Sequence, residues 1–171
     1  MSYLWEKKKG NPVRGFENLK VHFSSKKKDW ETPQKLFDQL NKEFGPFDFD
    51  AAASINNAKC EVFLSPELDY DALKMDWKNG VVSVDKPKIW LNPPYGREIG
   101  RWVKKAYEES LRGCTVVALL PSRTDTRYFH DYIYKKQGVE IRFLRGRLRF
   151  VGATSSAPFP SMVVIFGKML N

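Results

Sequence analysis

Asn92, Pro93, Pro94 and Tyr95 follow directly on the apolar run Ile89-Trp90-Leu91, and their types and spacing suit them to grip a planar amine. Two successive prolines remove two backbone donors and fix φ, so the turn is stiff and its carbonyls lack local partners. The Asn92 side-chain oxygen and the Pro93 carbonyl offer acceptors to an N–H2 group, and Tyr95 offers a ring on which a base could stack. An Asn-Pro pair alone is ordinary turn chemistry. The full tetrapeptide at the end of an apolar strand is far more specific.

Carboxylates form a second set. Asp50 interrupts the apolar end of Phe47-Asp48-Phe49, while Asp69, Asp71 and Asp76 lie in a polar connection. Carboxylates after strand ends can accept from ammonium, hydroxyl and amine donors; an acidic solvated loop is the alternative for the latter three. A third set is basic. Arg145, Arg147 and Arg149 alternate, so in an extended segment they would line one face suited to phosphates or guanine edges, with phosphate favoured. Arg123 and Arg127 flank Thr124-Asp125-Thr126 and could hold a nucleic-acid backbone or a flipped nucleotide. A solvated basic surface is the competing reading.

The charge balance favours the nucleic-acid reading. The chain of 171 residues carries a formal +9, which argues for a polyanionic partner. Residues 1–29 hold eight basic and three acidic side chains, a net +5, with little apolar periodicity; they read as a basic arm, either solvated or in contact with DNA. Cys60 and Cys114 have no paired spacing, so neither a disulfide framework nor a zinc site is implied. With only His22 and His130, histidine-based metal or triad chemistry is poorly supplied, and no metal is expected. No apolar stretch reaches membrane-spanning length and no secretory signal is evident, so a cytoplasmic protein without a membrane or obligate protein partner is expected.

These residues need elements to position them. Thr32 caps and Pro33 begins a helix over 34–44, with Leu36, Phe37, Leu40 and Phe44 as its apolar stripe. A strand is expected over 47–53 with Phe47 and Phe49 on one face, then short strands at 61–64 and 81–84 and another at 88–92. Ile99, Trp102, Val103, Ala106 and Leu111 mark a helix closed by Gly113. Residues 114–120 form a strand buried on both faces, 124–137 a helix, and 139–144 and 161–167 the last strands. Alternating strands and helices predict a doubly wound α/β sheet in one domain over 30–171. Ligands of such sheets bind beyond the carboxyl ends of the strands, so Asp50, the Asn92 turn and Pro121-Ser122 should share one rim.

Trp30-Glu-Thr-Pro33, Phe49-Asp50-Ala-Ala-Ala, Asn57-Ala-Lys-Cys60, Asp76-Trp77, Asn92-Pro-Pro-Tyr95, Leu120-Pro121-Ser122 with Thr124-Asp125-Thr126, Gly146-Arg147 with Phe150, and Pro160-Ser161 occur in that order. In this ordered set the chain resembles the phage-type DNA adenine methyltransferases, over roughly residues 30–166, with the leader before Trp30 outside the likeness. Asp50-Ala-Ala-Ala-Ser replaces the Gly-x-Gly loop of most methyltransferases, a substitution that this family shares; Ala permits close approach, although φ > 0 becomes costly. The resemblance implies a Rossmann-like, mostly parallel sheet with an antiparallel last strand. It also implies S-adenosyl-L-methionine as cofactor, held by Trp30, Thr32, Pro33, Asp50, Ala51, Asn57, Asp69 and Asp76. Asp50 would face the methionine ammonium, Asp69 the ribose and Asp76 the adenine amine.

It further implies double-stranded DNA as partner, a flipped adenine gripped by Asn92, Pro93, Pro94 and Tyr95, a host-cytoplasmic setting, and protection of viral DNA from restriction. Without a separate recognition domain, a short or loosely read target is expected. The tetrapeptide by itself serves any planar amine, so a cytosine amine, RNA or a glutamine amide stay open, as does a non-catalytic nucleic-acid-binding protein.

Overall fold

In the computed structural model, which describes residues 30–167, the chain runs α1 (Gln34–Phe44), β1 (Phe49–Asp50), a 3-10 turn (Pro66–Leu68), β2 (Lys88–Leu91), α2 (Ile99–Leu111), β3 (Thr115–Pro121), α3 (Arg127–Tyr132), β4 (Val139–Phe143) and β5 (Ser161–Phe166). The basic arm expected over 1–29 lies outside the described residues.

The strands form one sheet in the order β1-β2-β3-β5-β4. β1, β2 and β3 are parallel, and β5 is antiparallel to both β3 and β4. Four strands therefore point one way and β5 runs against them. The period of two divides the core. Ile89, Leu91, Val116, Ala118 and Leu120 face Val103 and Ala106 of α2 and Phe129 of α3. Trp90, Val117 and Leu119 face Phe37 and Leu40 of α1 on the other side. Both faces are covered, which is why these strands read as unbroken apolar runs.

The helix ends have local causes. Pro33, at φ −57°, precedes α1 and its carbonyl accepts from Leu36 and Phe37. After α1 comes Gly45, where any Cβ would collide with the Asn41 side chain and carbonyl. Asn41 Oδ1 then accepts from Phe47 N at 2.8 Å, turning the chain toward β1.

Several expectations need correction. Thr32 does not cap α1, since Pro33 takes the cap position without a side-chain bond and Thr32 Oγ1 is buried without a partner among the described residues. Phe47 and Phe49 lie on opposite faces, because Asp48 makes a bend before β1 begins, breaking the alternation. Residues 61–64 give one parallel bridge, Phe63 to Asp50, rather than a strand. Residues 81–84 form no strand; the outer edge of β1 is already taken by that bridge, and Val81 and Val82 pack on the core through their side chains alone. α3 has six residues instead of fourteen, with left-handed backbone at Lys135 (φ 57°) soon after its end.

Candidate active site

β1 and β2 are paired with Asp50 opposite Trp90, so Asp50 and Asn92 emerge side by side at the carboxyl end of the sheet. Both line a cavity of about 570 Å3, within the usual range for small-molecule sites. Its walls come from Trp30 to Thr32 ahead of α1, from the loops after β1, from Asn92 to Pro94, and from Trp102 of α2. Among the described residues, five carboxylates, Glu31, Asp50, Glu67, Asp69 and Asp71, line it against the single ammonium of Lys59. An acidic cavity in a chain of net +9 suits a cationic ligand.

Asp50 is the most constrained of these carboxylates. It is 3% exposed. Its Oδ1 accepts from Ala52 N and its Oδ2 from Lys59 N, both at 3.1 Å. Burial raises its carboxyl from 3.8 to about 6, outweighing those two bonds and the Lys59 charge, which pull it down. Lys59 itself is committed, with Nζ at 3.1 Å from Glu31 Oε1 and 3.2 Å from Gln34 Oε1.

At Asn92 the amide nitrogen donates to the Trp30 carbonyl at 2.6 Å, while Oδ1 is buried and has no partner among the described residues. Pro93 beside it is buried on the same wall. An orphaned buried acceptor carries a desolvation cost that a donor from a ligand would relieve. Thr32 Oγ1 is a second orphan on the wall. Tyr95 is not part of the wall. Its hydroxyl donates to Leu119 O at 3.0 Å, and burial, with Tyr128 nearby, holds its pKa well above the usual 10. The residue as a whole is half-buried, and its ring meets Phe150 and Phe159 edge to face, with centroids 6.1 and 5.6 Å away.

The cavity thus brings together Trp30, Thr32, Asp50, Asn57, Asp69, Asn92, Pro93 and Pro94 of the expected residues. Pro33, Ala51 and Asp76 stand outside it. Ala51 is fully buried in the core, and Asp76 pairs with Arg112 of the α2 terminus at 2.6 Å, which holds its carboxyl well below the usual range. Pro121 and Ser122 also lie off the wall. Lys59, Glu31, Tyr70 and Trp102 belong to the wall although the sequence reading gave them no role. Lys59 and Glu31 fall inside the short motifs around Asn57 and Trp30; Trp102 was legible only as an apolar helix position.

Arg123, Arg127, Arg145, Arg147 and Arg149 are all exposed. They follow the carboxyl ends of β3 and β4, which point the same way as β1 and β2, so they share the cavity's edge of the sheet. The last three do not form one extended ladder. Gly146, at φ 78°, turns the chain after Arg145, and Leu148 packs on the core between the exposed Arg147 and Arg149. Backbone bonds from Val151 N to Glu31 O (3.0 Å) and Ala157 N to Leu148 O (2.8 Å) hold this loop.

A family model described as DNA N-6-adenine-methyltransferase (Dam) matches residues 20–169. The chain belongs to this family. The match begins ten residues before Trp30, so the likeness reaches further into the leader than the motifs indicate. A DNA N-6-adenine-methyltransferase of Escherichia phage T1 is 37% identical over 102 residues, 60% of this chain and 39% of that protein. One of Haemophilus phage HP1 is 27% identical over 152 residues, 84% of this chain and 82% of that protein. A putative methyltransferase, YfdM, of Escherichia coli K12 is 36% identical over 66 residues, 39% of this chain and 69% of that protein. The chain therefore spans about two fifths of the T1 relative and most of the HP1 relative.

Proposed function

We propose that this chain is a DNA adenine methyltransferase, built on a Rossmann-like sheet, that uses S-adenosyl-L-methionine to methylate the exocyclic amine of adenine in double-stranded DNA. The observation that carries the reading is Asn92, a residue on the wall of an acidic cavity whose buried Oδ1 has no partner among the described residues. Membership of the DNA N-6-adenine-methyltransferase family narrows the amine to adenine.

The adenine amine is a poor nucleophile because its lone pair is delocalised into the ring. Accepting its two N–H groups at Asn92 Oδ1 and the Pro93 carbonyl favours a pyramidal nitrogen and stabilises the positive charge that grows there during attack. Both acceptors are neutral, so the surplus N–H proton passes to water. Tyr95, fixed by its bond to Leu119 O, offers the ring on which the flipped base stacks.

The residues fit the cofactor's chemistry. Asp50 matches an ammonium, Asp69 and Asn57 are polar partners for a ribose, and the acidic wall as a whole suits a sulfonium cation. Bound there, S-adenosyl-L-methionine supplies the electrophilic methyl group and leaves as S-adenosylhomocysteine. Asp76, paired with Arg112, holds the adjoining loop in this reading rather than touching the cofactor. Exposed arginines at the same edge take the DNA phosphates, in the cytoplasm of a phage-infected host.

Incubation with methyl-labelled cofactor and duplex DNA, followed by digestion to nucleosides, tests the proposal. Label is expected in N6-methyldeoxyadenosine, and Asn92→Ala should lower kcat by about 10²- to 10³-fold with S-adenosylhomocysteine binding retained. Label in cytosine, label only in RNA, or none from a folded protein that binds S-adenosylhomocysteine would overturn it.

A further inference from the structure

Asn92 lines the cavity with its side-chain oxygen buried and its nitrogen held elsewhere. A backbone carbonyl can only accept, so the group 2.6 Å from Trp30 O must be the Asn92 N–H2, and Oδ1 is left as the free acceptor. Rotation of the amide by 180° would set two acceptors against each other. Trp30 is in turn placed by packing of its own side chain. The indole packs against Phe150, tilted at 5.1 Å, and against Phe159, edge to face at 5.3 Å, while Val151 N bonds to Glu31 O next door. Phe150 and Phe159 also receive Tyr95, so four rings form one cluster behind the catalytic turn.

We infer that Trp30 is a positioning residue for the methyl-transfer step: its carbonyl fixes the Asn92 amide with Oδ1 toward the substrate amine, and its indole, clamped by Phe150 and Phe159, keeps that carbonyl in place. The inference rests on the proposed function and adds a distinct role for Trp30, through Asn92 instead of through the cofactor. It also links chemistry to DNA contact. Phe150 directly follows Arg149, so whatever moves the arginine-bearing loop moves the clamp.

Asn92→Asp separates a positioning bond from simple acceptance. An ionised carboxylate would accept as well as an amide or better but has nothing to donate to Trp30 O; a protonated one regains the donor and keeps one acceptor. The kcat ratio of N92D to the parent protein should therefore rise as pH falls from 8 to 6, by up to about tenfold per pH unit. Glu31, Asp50, Lys59, Glu67, Asp69 and Asp71 line the same cavity in both proteins, so the ratio removes their titration. A ratio that is flat or falls on acidification, or no activity at any pH in a folded protein that binds S-adenosylhomocysteine, would overturn the inference.

Trp30→Ala gives a second measurement. It should lower kcat about tenfold while leaving the Kd for S-adenosylhomocysteine within about twofold, and Trp30→Phe, which keeps the ring contacts, should restore kcat. A loss confined to Kd would make Trp30 a cofactor contact and overturn the role. A third readout needs no catalysis: the Asn92 side-chain N–H2 resonances, identified by their loss in N92D, should be slow to exchange with water and should shift and lose that protection in Trp30→Ala. Resonances in fast exchange in the parent protein refute the bond. Protected resonances in a protein that methylates no adenine would sustain the Asn92–Trp30 bond while overturning the proposed function.

Discussion

With Asp50 as the proposed partner of the cofactor ammonium, affinity for that cofactor should depend on pH inside a range where ordinary carboxylates are ionised. Burial moves the Asp50 carboxyl from 3.8 to about 6, a shift that corresponds to about 3 kcal/mol. The sign follows from which form is favoured. A raised pKa means that the ligand-free fold prefers the neutral acid, so this group's contribution to stability is full below 3.8 and is lost as pH rises through about 6. A ligand ammonium reverses that preference, because it pairs only with the carboxylate. At pH 5 about one Asp50 in ten is ionised, so the Kd for S-adenosylhomocysteine should be about tenfold weaker than at pH 7.5. Binding at pH 5 should release close to one proton, and at pH 7.5 almost none. Isothermal titration in two buffers of different ionisation enthalpy measures both quantities. A Kd constant within twofold from pH 5 to 7.5, or an enthalpy independent of buffer at pH 5, would refute the assignment of Asp50 to the ammonium.

Lys59 tests the same electrostatics from the other side: its charge lowers the Asp50 pKa, so Lys59→Met should move the binding midpoint to higher pH, and an unmoved midpoint counts against the coupling. Glu109 is buried and its Oε1 takes Lys105 Nζ at 2.7 Å, Arg112 at 3.2 Å and Trp77 N at 3.3 Å. Glu109→Ala leaves Lys105 without its partner and should cost about 3 kcal/mol, or roughly 6–12 °C in Tm; a calorimetric shift under about 2 °C would contradict this. Arg147→Ala and Arg149→Ala should each reduce the slope of log K against log salt for duplex DNA by about 0.9 if each side chain meets one phosphate. Equal slopes in parent and variants would place those phosphates elsewhere.

Much of this arrangement was legible in the chain. Val116 to Pro121 and Ile89 to Leu91 are continuous apolar runs, the pattern of strands in a sheet covered on both faces. The candidate site was legible where the chain breaks local rules: a carboxylate at an apolar strand end, and two prolines after a strand. What escaped depended on contacts distant in sequence. Phe47 alternates with Phe49 on paper, but a bend at Asp48, whose Oδ2 accepts from Lys88 N at 2.7 Å, turns it to the other face. The role of Lys59 rests on Glu31, 28 residues away, and the setting of Asn92 on Trp30, 62 residues away. Asp76 reads as a ligand residue beside Trp77, yet its partner is Arg112 at the far end of α2.

Because β5 lies antiparallel against β4, the 144–160 loop leaves and rejoins the sheet at the same place, where Leu144 N donates to Ser161 O at 3.0 Å. Its two ends are held by the strand pair whatever lies between them, and doubling such a loop costs only about 0.6 kcal/mol in closure entropy. Exposed Ser155 and Ser156 therefore mark a point where residues can be inserted with little change in melting temperature, a tolerance that a marked drop in Tm would disprove. This topology gives the loop two parts with different tolerances: its exposed stretch can change in length without straining the strand pair, while Phe150 and Phe159, which pack on Trp30, cannot be changed without disturbing that contact.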